Sequence, residues 1–131
     1  MAMMTRQRPM LAVQDLRRTI DFYRDKLGFT LGDTFGDPPV WCSLHREGVE
    51  LMFNQPPDAA KDVPRRSRDY QVFYINADDV VALRDELLGH GAPCSDLRVT
   101  IYGMKEFEVR DPDHIWLWFG QPTDEPPTVT E

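Results

Sequence analysis

Cysteine is scarce in this chain. There are two, Cys42 and Cys94, far apart and in no CxxC pair. That usage fits apolar packing in a reducing compartment better than a disulfide framework. No run of about 18 apolar residues exists, so no transmembrane helix is expected. The segment from Met1 to Met10 has charge but no long apolar stretch, so no signal peptide is read. These absences point to the cytoplasm. Positive charge is also short: 15 Lys and Arg stand against 22 Asp and Glu, a net charge of −7. A nucleic-acid backbone needs clustered cations, so such binding is not expected. An acidic chain attracts cationic ligands, although the same charge also simply keeps a protein soluble. The 8 glycines are scattered, with no phosphate-cradling loop, and no Ser-His-Asp or Cys-His order is recognisable.

What is present reads as one folded domain. A chain of 131 residues is of ordinary domain size. It can bury about two-thirds of its unfolded surface without a disulfide or structural zinc. Residues 8–13 read as a short strand, and Asp15 as a helix N-cap. Leu16, Ile20, Tyr23 and Leu27 then share one helical face, and Gly28 ends the helix. Strands follow at about 29–35, 40–45 and 49–54, with Gly, Pro and Asp between them. Residues 55–68 read as a polar, Pro-rich linker. The pattern then restarts: a strand at 70–75, a helix capped by Asp78 or Asp79 and ended by Gly91, an irregular strand within 92–102, and strands at 104–110 and 115–120. Residues 121–131 are Pro-rich and acidic and are expected to be disordered. Asp15 to Asp79 is 64 positions and Gly28 to Gly91 is 63, which marks an internal βαβββ repeat.

Two stretches carry a family resemblance: AVQDLRRTIDFYRDKLGF, Ala12 to Phe29, and YGMKEFEVRDPDHIWLWFG, Tyr102 to Gly120. Both resemble the opening and closing signatures of the vicinal-oxygen-chelate superfamily, the glyoxalase, bleomycin-resistance and dioxygenase group. The resemblance implies an α+β fold. Two βαβββ modules would form a cup-shaped, eight-stranded mixed sheet with the helices outside. Module 1 would span about 8–54 and module 2 about 70–120, within a single domain over 1–131 that ends in a tail at 121–131. It also implies a homodimer, with modules pairing within one chain or across two. His114 departs from the pattern, since relatives often have Gly after the Asp-Pro-Asp turn.

Metal-using members of the family place ligands on the first, fourth, fifth and eighth strands. The matching positions here are Arg8, Glu50, Tyr70 (Val72 if the register slips by two) and Trp118. A guanidinium is a permanent cation without a lone pair to offer, and an indole is a donor only. Glu50 alone is a competent ligand, whereas a catalytic site needs about three. His45, His90 and His114 lie near element ends and are not spaced as a shared site. No metal or other cofactor is therefore expected.

Strand alternation sorts the remaining side chains. Val40, Cys42 and Leu44 should face the helices, as should Val49, Leu51 and Phe53, Phe107 and Val109, and Ile115, Leu117 and Phe119. The cup face should then carry Arg8, Met10 and Ala12 from the first strand, Trp41 from the third, and Glu50 and Met52 from the fourth. It should also carry Tyr70 and Tyr74 from the fifth, Glu106 and Glu108 from the seventh, and Trp116 and Trp118 from the eighth. Two tryptophans away from the helix core suit either ligand stacking or a dimer interface. Glu106 and Glu108 suit either a cationic ligand or a structural network with Arg8 or another base. The expected activity is metal-free binding of a small aromatic or cationic molecule, as the bleomycin-resistance branch implies. The alternative is a metal-dependent lyase, isomerase or dioxygenase with a rearranged ligand set that includes Glu50.

Overall fold

A computed structural model describes residues 1–57 and 72–129. Its strands are β1 (Met10–Ala12), β2 (Thr30–Phe35), β3 (Trp41–Arg46), β4 (Val49–Asn54), β5 (Val72–Asn76), β6 (Arg98–Val99), β7 (Met104–Arg110) and β8 (Trp116–Pro122). Helix α1 spans Leu16–Asp25 and α2 spans Val80–Gly89. The class is α+β, in two βαβββ modules. Residues 58–68 of the expected linker lie outside the described residues.

The two sheets repeat one topology. The first has the order β1-β4-β3-β2 and the second β5-β8-β7-β6. In each, the strand before the helix pairs in parallel with the last strand of its module, and the remaining pairs are antiparallel. The helix starts repeat as well. Asp15 Oδ1 accepts from the Arg18 amide at 3.2 Å and Asp79 Oδ1 from the Ala82 amide at 3.0 Å. In both, a glutamine from the end of the module's last strand accepts from the first helical amide. Gln55 does so for Leu16, at 2.8 Å, and Gln121 for Val80. Two otherwise orphaned donors at each helix start thereby find acceptors.

The apolar rows lie where alternation puts them. In the first module Leu11, Val13, Cys42, Leu44, Leu51 and Phe53 are buried, and Tyr23 of α1 packs on Phe53 with ring centroids 4.9 Å apart. Val40 corrects the expected row. It is 44 % exposed, because it precedes β3 and closes the turn, its amide donating to the Phe35 carbonyl at 2.8 Å. In the second module Phe107 and Phe119 are cross-strand partners that stack at 5.0 Å, and α2 packs on β7 and β8. Burial in both modules pushes the cysteine thiols up, Cys42 to about 11 and Cys94 in the same direction, so both are poor nucleophiles.

Residues 121–129 correct the expectation of a disordered tail. β8 runs on to Pro122, the Thr123 amide donates to Gly103, and the Thr128 amide donates to the Val99 carbonyl at 2.9 Å while Thr128 Oγ1 accepts from the Val99 amide at 2.8 Å. The edge strand β6 thus finds its second set of backbone partners in the tail. No helix among the described residues is long and apolar enough to cross a membrane.

Candidate functional site

Each sheet has one face turned away from its helix. On the first sheet the register aligns Met10 with Met52, Ser43 with Met52, His45 with Glu50 and Trp41 with Asn54, so these side chains share that face. Arg8 lies just before β1. Its Nε is 3.0 Å from Glu50 Oε2, and Arg6 Nη1 is 3.1 Å from Glu50 Oε1. The Arg8 contact is a close ion pair rather than an aligned hydrogen bond, since its buried Nε–H has no acceptor in good geometry. Met10 is 58 % exposed and Trp41, Glu50 and Met52 are half-buried. The expected residues Arg8, Met10, Trp41, Glu50 and Met52 are therefore neighbours on this sheet.

The second sheet builds a denser arrangement. Val72 and Trp116 are register partners, as are Tyr74 and Trp118, Glu108 and Trp118, Glu106 and Gly120, Arg110 and Trp116, and Arg98 and Glu106. All lie on the face away from α2. Glu106 is fully buried there. Its Oε2 accepts from the Tyr74 hydroxyl at 2.7 Å and the Tyr102 hydroxyl at 3.0 Å, and its Oε1 accepts from Arg98 Nη2 at 3.1 Å. Arg98 Nη1 donates to Glu108 Oε2 at 3.2 Å. The Arg98 guanidinium also lies 4.8 Å over the Trp118 ring, and that of Arg110 lies 5.1 Å over Trp116. Guanidinium planes stack well on aromatic faces.

Glycine makes one of these contacts possible. A Cβ on Gly120 would sit 2.0 Å from the Tyr74 hydroxyl oxygen. Tyr74 crosses the sheet over Gly120 to reach Glu106 on the next strand, and only a residue without a side chain leaves that path open. Burial pushes the Tyr74 hydroxyl well above the ordinary tyrosine range, and its hydrogen bond and proximity to Glu106 push it further. Tyr102 shifts the same way for the same causes, in the same order. Both hydroxyls are therefore fixed donors and not acids. Burial pulls Arg98 down, but Glu108 and Glu106 together outweigh it and leave the guanidinium raised.

The expected residues Tyr74, Glu106, Glu108, Trp116 and Trp118 do meet on one face, while Tyr70 lies outside the described residues. Three members of the cluster were missed: Arg98, Tyr102 and Arg110. Arg110 carried a signal, since it continues the alternation of Glu106 and Glu108 on β7. Arg98 and Tyr102 fall in the irregular segment before β7, where periodicity is lost. The partner of Glu106 and Glu108 is Arg98, and Arg8 pairs with Glu50 instead.

Residues 6–119 match the glyoxalase/bleomycin resistance protein/dioxygenase superfamily. The chain belongs to this superfamily. No curated protein matches it. Among solved structures it resembles a bleomycin resistance determinant encoded on transposon Tn5, with a TM-score of 0.72 and 18% identity over 93% of this chain and 100% of that one. It also resembles TnmS3, an antibiotic binding protein from Streptomyces sp. CB03234, with a TM-score of 0.70 and 23% identity over 94% of this chain and 99% of that one. A third is a glyoxalase/bleomycin resistance protein/dioxygenase from Nocardioides, at 0.72 and 14% identity over 100% of this chain and 91% of that one. At these identities the likeness shows the fold.

Within the superfamily the metal positions can be tested on this chain's own side chains. The resemblance puts two of them at Arg8 and Trp118, where a guanidinium and an indole offer no electron pair. Glu50, the competent ligand, has one oxygen held by Arg6 and the other by Arg8. The donor set does not fit a divalent ion. Among the described residues no group of three or more His, Cys, Asp or Glu is placed to hold one. What this superfamily member does offer is two indoles with a guanidinium over each, one of them backed by a satisfied carboxylate network. Displacing Arg98 would leave a buried carboxylate unpaired, at roughly 3–5 kcal/mol. A cation stacked on an indole returns only about 0.5–2 kcal/mol. The network is therefore a rigid support for the Trp118 ring.

Proposed function

We propose that this superfamily member is a single-domain binding protein that sequesters a small, flat aromatic molecule without a metal of its own. The observation that carries the reading is the pair Trp116 and Trp118. They are half-buried, two residues apart on β8, on the face away from α2. A guanidinium lies over each ring, at 4.8 Å from Trp118 and 5.1 Å from Trp116, which favours rings already ordered before binding. Two structural relatives, a bleomycin resistance determinant and an antibiotic binding protein, agree with such a role. The reading includes a homodimer in the cytoplasm. An indole pair also suits a dimer interface, so sedimentation of the free and ligand-bound protein belongs with the binding test.

The test is thermal shift and calorimetry with bleomycin and with naphthalene derivatives. Saturable binding is expected, with stabilisation of about 2.7 kcal/mol at a hundredfold excess over Kd. Trp118→Ala should abolish it, and an unchanged Kd in that variant would remove Trp118 from the site. Elemental analysis of the purified protein addresses the metal-dependent alternative. A stoichiometric divalent ion lost on Glu50→Gln would sink the metal-free reading in favour of lyase, isomerase or dioxygenase chemistry.

A further inference from the structure

The acidity of the chain is lopsided. Residues 72–129 carry four Lys and Arg against eleven Asp and Glu, which matches the whole net charge of −7. Residues 1–57 carry seven against seven. The first module adds nothing to the negative excess, and charges further than about 8 Å away are screened at physiological salt. On the face of the first sheet away from α1 the local balance is positive. Arg6 and Arg8 converge on Glu50, one guanidinium to each carboxylate oxygen, at 3.1 Å and 3.0 Å. Glu47, in the turn before β4, pairs with Arg46 instead. A guanidinium has five N–H donors and no acceptor. Arg8 has no aligned acceptor for its Nε–H, and neither Arg6 nor Arg8 has a second carboxylate among the described residues.

The same face turns apolar along the strands. Met10 and Met52 are register partners next to the charged row, and Phe35 and Trp41 are partners beyond them. Met10 is 58% exposed and Phe35 72%. Trp41 pairs with Asn54, four residues along β4 from Glu50, so guanidiniums and aromatic rings stand roughly 13 Å apart. We infer that this face is a second binding platform, for an elongated amphipathic anion: an arylalkyl carboxylate whose head lies against Arg6 and Arg8 and whose ring lies against Trp41 and Phe35. The inference does not depend on the function proposed for the second sheet. Carboxylate and guanidinium match in shape and charge. Methionine side chains adapt to the alkyl chain between the two ends. Glu50 does not bar the head, because two cations stand against one carboxylate. A cationic head must displace an arginine from Glu50 or lie beside a like charge.

The experiment titrates the full chain by calorimetry at physiological salt with phenylhexanoate, phenylhexanol and phenylhexylammonium, which share a body and differ in the head. Phenylhexanoate should bind at least about tenfold tighter than the ammonium, with the alcohol between them. Arg6→Gln combined with Arg8→Gln should shrink that ratio below about threefold. Phe35→Ser, at an exposed position outside the core, should weaken all three by about threefold or more and leave the ratio intact. Trp118→Ala should leave every Kd unchanged. A ratio below about threefold in the unaltered protein, or one unmoved by the double substitution, overturns the inference. So does a loss of phenylhexanoate binding in Trp118→Ala and not in Phe35→Ser, or no binding of phenylhexanoate at all.

Discussion

Glu50 and Glu106 invite comparison. Each is a strand carboxylate on the face away from a helix, each is held by arginine, and the two sheets that carry them share one topology. Their surroundings differ. Glu50 is 23% exposed and is held by Arg6, itself 63% exposed, and by Arg8 from outside the sheet. Glu106 is fully buried and takes hydrogen bonds from Tyr74, Tyr102 and Arg98, which come from β5, the loop before β7, and β6. The same secondary-structure plan thus produces a solvent-screened ion pair in one module and a closed polar network in the other. The difference lies in what crosses the strands: a tyrosine over a glycine, and an arginine from an edge strand. Exposed pairs contribute little because water competes for both partners. A satisfied buried network contributes chiefly by being costly to break.

That contrast can be broken by mutation. Arg98→Ala should cost the most, roughly 3–5 kcal/mol in urea denaturation, because it strands a buried Glu106. A loss under about 1 kcal/mol would show that the network is no more than a surface pair. Gly120→Ala should come next, at roughly 1–3 kcal/mol, since the new methyl group drives the Tyr74 hydroxyl off Glu106. In a Tyr74→Ala background the same change should cost little, and a double-mutant cycle without coupling would refute the crossing. Glu50→Gln should be the mildest, within about 1 kcal/mol, in line with its exposure. A larger effect would mean that the first module holds its carboxylate as tightly as the second.

Much of this was legible in the strands. Period-two alternation in Met104–Arg110 and Ile115–Gly120 placed Glu106, Glu108, Trp116 and Trp118 on the face away from α2; the first helix cap was plain from Asp15, and of the two candidates for the second, Asp78 and Asp79, it is Asp79 that caps. The Asp-Pro-Asp turn was legible too. Asp111 Oδ1 accepts from the Asp113 and Ile115 amides at 2.8 Å and 2.9 Å. His114 there has φ +65°, the left-handed conformation that explains why relatives often carry glycine at that position. Val40 was misplaced because a strand's first residue belongs to the turn. The tail was misjudged because its Pro-rich, acidic composition gave no hint that Thr128 would bond Val99.

Local periodicity and capping chemistry act over a few residues, so the amino-acid order alone indicated the repeat, the helices and the face of most residues in the regular strands, while the stretches 12–29 and 102–120 carried the resemblance to the superfamily. Only tertiary structure decided which cation meets which carboxylate. Arg98 and Glu108 lie ten residues apart and Tyr74 and Glu106 thirty-two, and no spacing rule reaches across a sheet. Strand order, register and one missing side chain at Gly120 bring those groups within hydrogen-bonding distance.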